Sequence, residues 1–386
     1  MGLRKKKDLR FGYSYWGFLG DRKVENGVEV STPDGNAAYS WSILWEAQRR
    51  GWETWLLQKD RDAEYVNGRR HDAFRSFSTH KRYSAWKNSN KTITTGGVVL
   101  NDLDDLPDLD VVLIEWRFKI PGRNCEIEKD DPAYQPDLDR QIELLEHFKR
   151  KGTKIILWDL DHKLPMDEEV YWSPDAVFET SVKPIVSFGP ERIRVEPPII
   201  VDDLMQFATV AANPTRKLVY IGSRYERDDV IDEWIGPVSE KFPYQVEFWG
   251  NWTREPNLSE CRDRWPKVLF NPRVTMSDFR KIYSTAVAVP ILAKRSYMET
   301  GFITPRPWEA LLFGSLPVGL SGHLGIEDYV AEAMVARDPE DLCDLLDYVS
   351  DMSLDERIET RSENVERLKH MDVRNFVDRI EEVARR

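Results

Sequence analysis

The chain has 386 residues, which at about 150 residues per domain implies two domains. Its apolar share of 41 % and charged share of 32 % fit a globular protein and exclude a disordered, collagenous or rod-like one. Lys and Arg number 55 against 67 Asp and Glu, so the formal net charge of -12 argues against non-specific coating of polyanions.

The basic start of the chain lacks the apolar core of a signal peptide. The longest apolar run, residues 286–293, is far short of the ~18 residues that a membrane span needs, so no membrane insertion is expected. Cys125, Cys261 and Cys343 are too scattered for a disulfide framework or a zinc site, and a cytoplasmic setting is predicted.

In chain order, LRFGYSYWGF (9–18) reads as a strand ending in a glycine loop that contains Gly17 and Gly20. Residues 37–50 carry apolar side chains at helical spacing and stop at Gly51. WETWLL (52–57) and DVVLIEW (110–116) are strands, the second almost wholly apolar, as a strand buried on both faces must be. A helix over 137–151 is followed at once by the strand KIILW (154–158). Such alternation predicts a parallel, doubly wound sheet.

Three prolines and an acidic pair mark 197–214 as a boundary, after which the rhythm restarts. Strands are expected at 216–221, 244–249, 267–270, 286–292, 316–320 and 333–336, with helices at 277–285, 305–313 and 339–349 and a helical tail over 354–386. The expected division is 1–200 as an N-terminal lobe, 201–215 as linker, 216–370 as a C-terminal lobe, and 371–386 as a final helix that packs back on the first lobe.

Ligands of open parallel sheets bind beyond the carboxyl ends of the strands. The most informative segment so placed is ETGFITPRPWEALLFGSLPVGL (299–320). Thr304 is read as an N-cap and Pro305 as a first-turn residue, which would aim free amides at an anion. Arg306 adds a permanent cation, and Glu309 a carboxylate suited to paired hydroxyls. The same spacing also describes an ordinary capped amphipathic helix.

The stretch T-P-R-x-W-E-A-x-x-x-G-x-x-P-V resembles the donor-binding signature of GT-B glycosyltransferases, in the variant found in spore-maturation-type and related bacterial enzymes. The resemblance covers about a third of the chain, 217–347. It implies an α/β protein of two Rossmann-like domains facing a central cleft, with a nucleotide-diphosphate sugar, a UDP-sugar, as co-substrate and no tightly bound cofactor or metal. It matches Glu309 to a ribose-binding glutamate and Thr304 and Arg306 to the diphosphate loop. Gly222, Arg224 and Arg227, after the strand at 216–221, match the first strand-loop of the donor domain. The common retaining pattern has two glutamates separated by seven residues; Glu299 and Glu309 have nine between them, which leaves the stereochemistry open.

The N-terminal half is expected to supply the acceptor side. Asp159, Asp161 and His162 follow the strand KIILW, and Glu115 ends DVVLIEW; any of them can take a proton from an acceptor hydroxyl, and each is equally the residue type that caps a loop. The D-x-D of Asp159 and Asp161 is read as non-metallic. Between residues 69 and 91, Arg75, Arg82 and other cations alternate with aromatics including Trp86, a mixture that binds nucleic acid or simply forms a solvated loop. A hydroxymethylated base in phage DNA is therefore one expected acceptor, which would place the enzyme in the host cytoplasm. A cell-surface saccharide or a small molecule is another, and a sugar-binding module or an epimerase on the same scaffold are the rival functions. Oligomeric state is left open. No Walker, H-E-x-x-H or G-x-S-x-G motif occurs.

Overall fold

A computed structural model describes residues 9–14, 23–25, 28–30, 35–57, 97–98, 103–104, 106–116, 119, 125–131, 134, 137–164, 174–184, 189–207, 210–253, 256–274 and 281–386.

The first half contains β1 (Arg10–Ser14), the antiparallel pair β2 (Lys23–Glu25) and β3 (Val28–Val30), helix α1 (Gly35–Arg49), β4 (Glu53–Leu56), β5 (Gly97–Val98), β6 (Val111–Glu115), α2 (Asp137–Lys151), β7 (Lys154–Asp159), β8 (Ala176–Glu179) and β9 (Glu191–Arg194). Seven of these strands form one parallel sheet in the order β5-β4-β1-β6-β7-β8-β9. The chain runs outward from β1, then returns to its other side at β6. That reversal opens a crevice at the carboxyl ends of the central strands.

After α3 (Val201–Phe207) the second half repeats the plan: β10 (Arg216–Ile221), α4 (Asp228–Val230) running through a π-helical turn Ile231–Ile235 into α5 (Gly236–Lys241), β11 (Val246–Trp249), α6 (Asn257–Arg264), β12 (Leu269–Asn271), β13 (Ala286–Pro290), α7 (Arg295–Thr300), α8 (Arg306–Leu312), β14 (Leu316–Leu320) and β15 (Val335–Ala336). Its six strands, all parallel, lie in the order β12-β11-β10-β13-β14-β15, with the reversal between β10 and β13. Every residue of β6, β13 and β14 is buried, which is why these segments are continuous apolar runs rather than alternating ones.

Three helices close the chain: α9 (Pro339–Asp351), α10 (Leu354–Arg367) and α11 (Val373–Ala384). The first two are capped by side chains, Asp338 accepting from the Asp341 amide and Ser353 forming a reciprocal box with Glu356. The third crosses back to the first sheet. Phe376 packs on Trp158 and Phe178 with ring centroids 4.7 and 5.3 Å apart, and Arg50 at the end of α1 pairs with Asp378 and Glu381. The outgoing and returning chains run side by side, with Ile199 donating to the Met371 carbonyl (3.0 Å) and Val373 to the Ile199 carbonyl (2.8 Å).

Some element ends differ from the sequence expectation. The strand expected over 244–249 begins at Val246, because Tyr244 has φ 63° within a turn that the Gln245 amide closes on the Phe242 carbonyl (3.1 Å). The strand expected over 333–336 is confined to Val335–Ala336, since Glu332–Met334 form a single 3-10 turn. Only the end of the helix expected over 277–285 falls among the described residues.

Candidate functional site

At the carboxyl end of β10 the side chain of Arg306 folds under Tyr220. Its Nη1 donates to Thr304 Oγ1 (3.0 Å), and its Nη2 to the Tyr220 hydroxyl (3.1 Å) and the Ile221 carbonyl (3.3 Å), with the guanidinium carbon 4.6 Å from the Tyr220 ring centroid. All these acceptors are neutral. Burial pulls the Arg306 pKa down, but Tyr220, Tyr283 and Glu309 around it outweigh that and the net direction is up. Glu309, also buried, sits in the first turn of α8 and helps burial to push the Tyr283 phenol upward.

One expectation is corrected here. The N-cap of α8 is Pro305, without a side-chain cap, and Thr304 spends its oxygen on Arg306. The reason is proximity: Thr304 lies two residues from a buried guanidinium, and its hydroxyl accepts from that charge rather than from a helix amide.

Gly222 follows β10 in direct contact with this arrangement. A Cβ there would lie 2.5 Å from Arg306 Nη2 and 2.6 Å from the Tyr220 hydroxyl. Gly250, at φ 150°, is required in turn, because a Cβ on it would lie 2.1 Å from the Gly222 carbonyl, which already accepts from Trp252 Nε1 (2.7 Å). We expect Gly222→Ala to displace Arg306 and to destabilise the protein by about 1–3 kcal/mol. Chemical denaturation checks this; an unchanged midpoint contradicts the packing.

The next residues divide two arginines into different roles. Arg224 is saturated by carboxylates: Asp228 accepts at 2.8 and 2.6 Å, and Glu260 takes the other nitrogen. Arg227 is buried and, among the described residues, its side chain donates only to carbonyls, of Ser223 (3.3 Å) and Tyr225 (2.7 Å). Lys294, also buried, lies at the carboxyl end of β13. Its Nζ donates to Glu226 Oε2 (3.1 Å) and stands 4.2 Å from the Tyr297 ring centroid. Lys294 was not singled out as a site residue from sequence. The signal was present: it is the cation that ends the apolar run 286–293, at a strand's carboxyl end.

The first lobe faces this cluster. The Tyr297 hydroxyl of α7 donates to Asp161 Oδ1 (3.2 Å) in the turn after β7. Burial raises the Asp161 pKa, although the Tyr297 hydroxyl, Lys294, Lys163 and Arg227 all pull it down. His162 makes the turn at φ 55°, pairs with Ser181 Oγ, and lies edge-on to Tyr297 and Phe302 with centroids 5.3 and 4.9 Å away. Burial, with Lys294, Arg192 and Lys163, lowers its pKa to about 3, so the ring is neutral at pH 7.

Asp159 caps the same turn, accepting from the amides of Lys163 (2.9 Å) and Leu164 (3.3 Å), and burial pushes it up to about 6. Glu115 is fully buried within the first sheet, where its Oε1 accepts from the Tyr13 hydroxyl. The structure therefore brings Asp161 and His162 together with Arg227, Lys294 and Tyr297, and sets Glu115 and Asp159 inside the first lobe.

Gly17, Gly20, Arg75, Arg82 and Trp86 lie outside the described residues, as does the basic aromatic stretch 69–91. Among the described residues no group of three or more His, Cys, Asp or Glu side chains is placed to hold a metal ion, and no helix is long and apolar enough to cross a membrane.

No protein-family model matches the chain, and no curated protein matches it. Solved structures do. The β-glucosyltransferase of phage T4 in complex with UDP and Mn2+ is 14 % identical with a TM-score of 0.62, over 97 % of this chain and 99 % of its own. An α-glucosyltransferase in complex with UDP and a 13-mer DNA containing a HMU base is 14 % identical with a TM-score of 0.59, over 98 % of this chain and 100 % of its own. A mutant of the O-GlcNAc transferase of Thermobaculum terrenum is 12 % identical with a TM-score of 0.53, over 98 % of this chain and 67 % of its own. The chain thus has the GT-B fold, two Rossmann-like lobes facing one another.

Proposed function

We propose that this protein is a glycosyltransferase that moves a sugar from a UDP-sugar to a hydroxyl, and that the hydroxyl belongs to a hydroxymethylated base in DNA. One observation carries the reading: at the reversal point of the second sheet two buried guanidiniums, those of Arg227 and Arg306, are held by neutral oxygens alone among the described residues. Burying a cation without a hydrogen-bonded anion carries a desolvation cost, which at Arg306 the nearby Tyr220, Tyr283 and Glu309 offset. A diphosphate offers anionic oxygens that both guanidiniums can hydrogen-bond, and the motif resemblance assigns one to this loop.

In this reading residues 1–200 form the acceptor lobe, 201–215 the linker, 216–370 the donor lobe, and 371–386 return to the first. Arg227, Lys294 and the loop around Thr304 and Arg306 take the diphosphate, close to Gly222. Glu309 takes the ribose hydroxyls, as the motif resemblance implies. The acceptor oxygen forms its bond to the anomeric carbon while the bond to the diphosphate oxygen breaks and its electron pair leaves with the phosphate. Fixed cations stabilise that charge without reorganisation, the largest single contribution expected here. Asp161, opposite them, takes the hydroxyl proton. All three nitrogens of Arg224 are held by Asp228 and Glu260, so the diphosphate is assigned to Arg227 and to Lys294, whose one ion-pair partner among the described residues is the half-exposed Glu226.

The acceptor rests on the similar DNA-modifying β-glucosyltransferase, on the α-glucosyltransferase solved with DNA, and on the basic aromatic stretch 69–91. The work would then be done where the DNA is, in the host cytoplasm of a phage. Incubating the protein with UDP-sugars and duplexes with and without hydroxymethylated bases should add one sugar mass to the modified duplex alone, read by mass spectrometry. Transfer only to a saccharide or small molecule replaces the acceptor assignment. Consumption of no nucleotide sugar under any condition removes the enzymatic reading and leaves a binding module.

A further inference from the structure

The loop between β10 and α4 places a carboxylate on the one lysine of the proposed phosphate seat. Glu226 has φ 50°, a left-handed conformation that an L-residue adopts only where its surroundings hold it. The residue on each side explains how it is maintained. Arg227 grips the Ser223 and Tyr225 carbonyls from below, and its amide donates to the Arg224 carbonyl (3.1 Å). Tyr225 lies over Lys294, with Nζ 5.5 Å from its ring centroid.

The two members of the pair are unequal. The side chain of Lys294 is 8 % exposed and that of Glu226 52 %. The ammonium is therefore a fixed part of the donor lobe, set between two tyrosine rings, while the carboxylate reaches it from the solvent side. Removing Glu226 would leave the ammonium with aromatic faces as its nearest partners and no other carboxylate in contact among the described residues. A carboxylate and a terminal phosphate are both compact anionic acceptors for an ammonium, and two such anions side by side repel each other.

We propose that Glu226 is a built-in competitor of the donor diphosphate: it holds Lys294 in the empty enzyme, must leave when the UDP-sugar binds, and returns as UDP departs. The inference rests on the diphosphate reading above and deepens it. Glu226 then sets donor affinity and helps to expel the product, which is the more tightly anionic of the two ligands. It also keeps stray anions off a buried cation between turnovers.

The test is calorimetric binding of UDP to the full chain and three variants. Glu226→Gln should bind UDP about fivefold more tightly than the parent, the size expected for removing one partly exposed ionic competitor. It should also show a lower KM for the UDP-sugar and stronger inhibition by UDP. Glu233→Gln removes the same charge from a carboxylate that pairs with Arg295 rather than Lys294, and should leave UDP affinity unchanged. In a Lys294→Ala background the gain from Glu226→Gln should vanish. Equal or weaker UDP binding by Glu226→Gln, an equal gain from Glu233→Gln, or a gain that survives Lys294→Ala each overturns the competitor. If the parent and all variants fail to bind UDP, the diphosphate reading itself falls.

Discussion

Replacing Arg306 by methionine should lower turnover of a UDP-sugar about 10²- to 10³-fold while leaving the fold intact, the loss expected when one preorganised donor to developing charge is removed. The two halves of this expectation come from the same geometry. Arg306 is buried and, among the described residues, donates only to Thr304, Tyr220 and the Ile221 carbonyl, so none of its hydrogen bonds there goes to an anion. Replacing a buried ionic group by an apolar side chain of similar length is commonly neutral or stabilising. The hydroxyls of Thr304 and Tyr220 can reorient to donate, which limits the cost of losing their partner. Denaturant midpoints should therefore shift by no more than about 1–2 kcal/mol in either direction. A variant that folds and still turns over donor at the parent rate would contradict the assignment. A variant that unfolds would show that the guanidinium is structural, and UDP affinity measured on Arg227→Met would then decide the site.

How far the site was legible depended on which physical signal each residue carries. The strands at 216–221 and 316–320 and the helix at 137–151 were readable residue for residue, because burial on both faces of a parallel sheet forces apolar runs and a one-sided helix forces spacing. Gly222 and Arg306 were legible as motif members, but their contact was not: nothing in the spacing of residues 222 and 306 says that a methyl group on one would strike the other. Thr304 was misread as a cap because N-cap preference is a local rule, and a buried cation two residues away outcompeted it. Arg224 and Arg227 look alike in sequence. Only the fold shows that one faces carboxylates on neighbouring helices and the other its own loop's carbonyls. Tyr297 escaped for a related reason, since a tyrosine on a short helix signals nothing until the opposite lobe brings Asp161 to it.

Asp161→Asn should reduce kcat by about 10²- to 10⁴-fold with UDP affinity preserved, the range for losing a positioned general base. The pH profile separates it from His162. A base must be deprotonated, so activity falls as pH drops through its pKa in the free enzyme. Burial holds the Asp161 pKa above the ordinary carboxylate value, so with Asp161 as base the acid limb is displaced upward from that value. His162 sits at about 3, and with it as base the enzyme would stay active well into acid. The Tyr297 hydroxyl is one of the groups that pull Asp161 down, and Tyr297→Phe removes it. The limb should then move to still higher pH, with kcat on the alkaline plateau little altered. A limb that ignores Tyr297→Phe, or one that persists in Asp161→Asn at full rate, would transfer the proton to another group. His162, held by Ser181 at the same turn and bordering Tyr297 and Phe302, would be the next residue to replace.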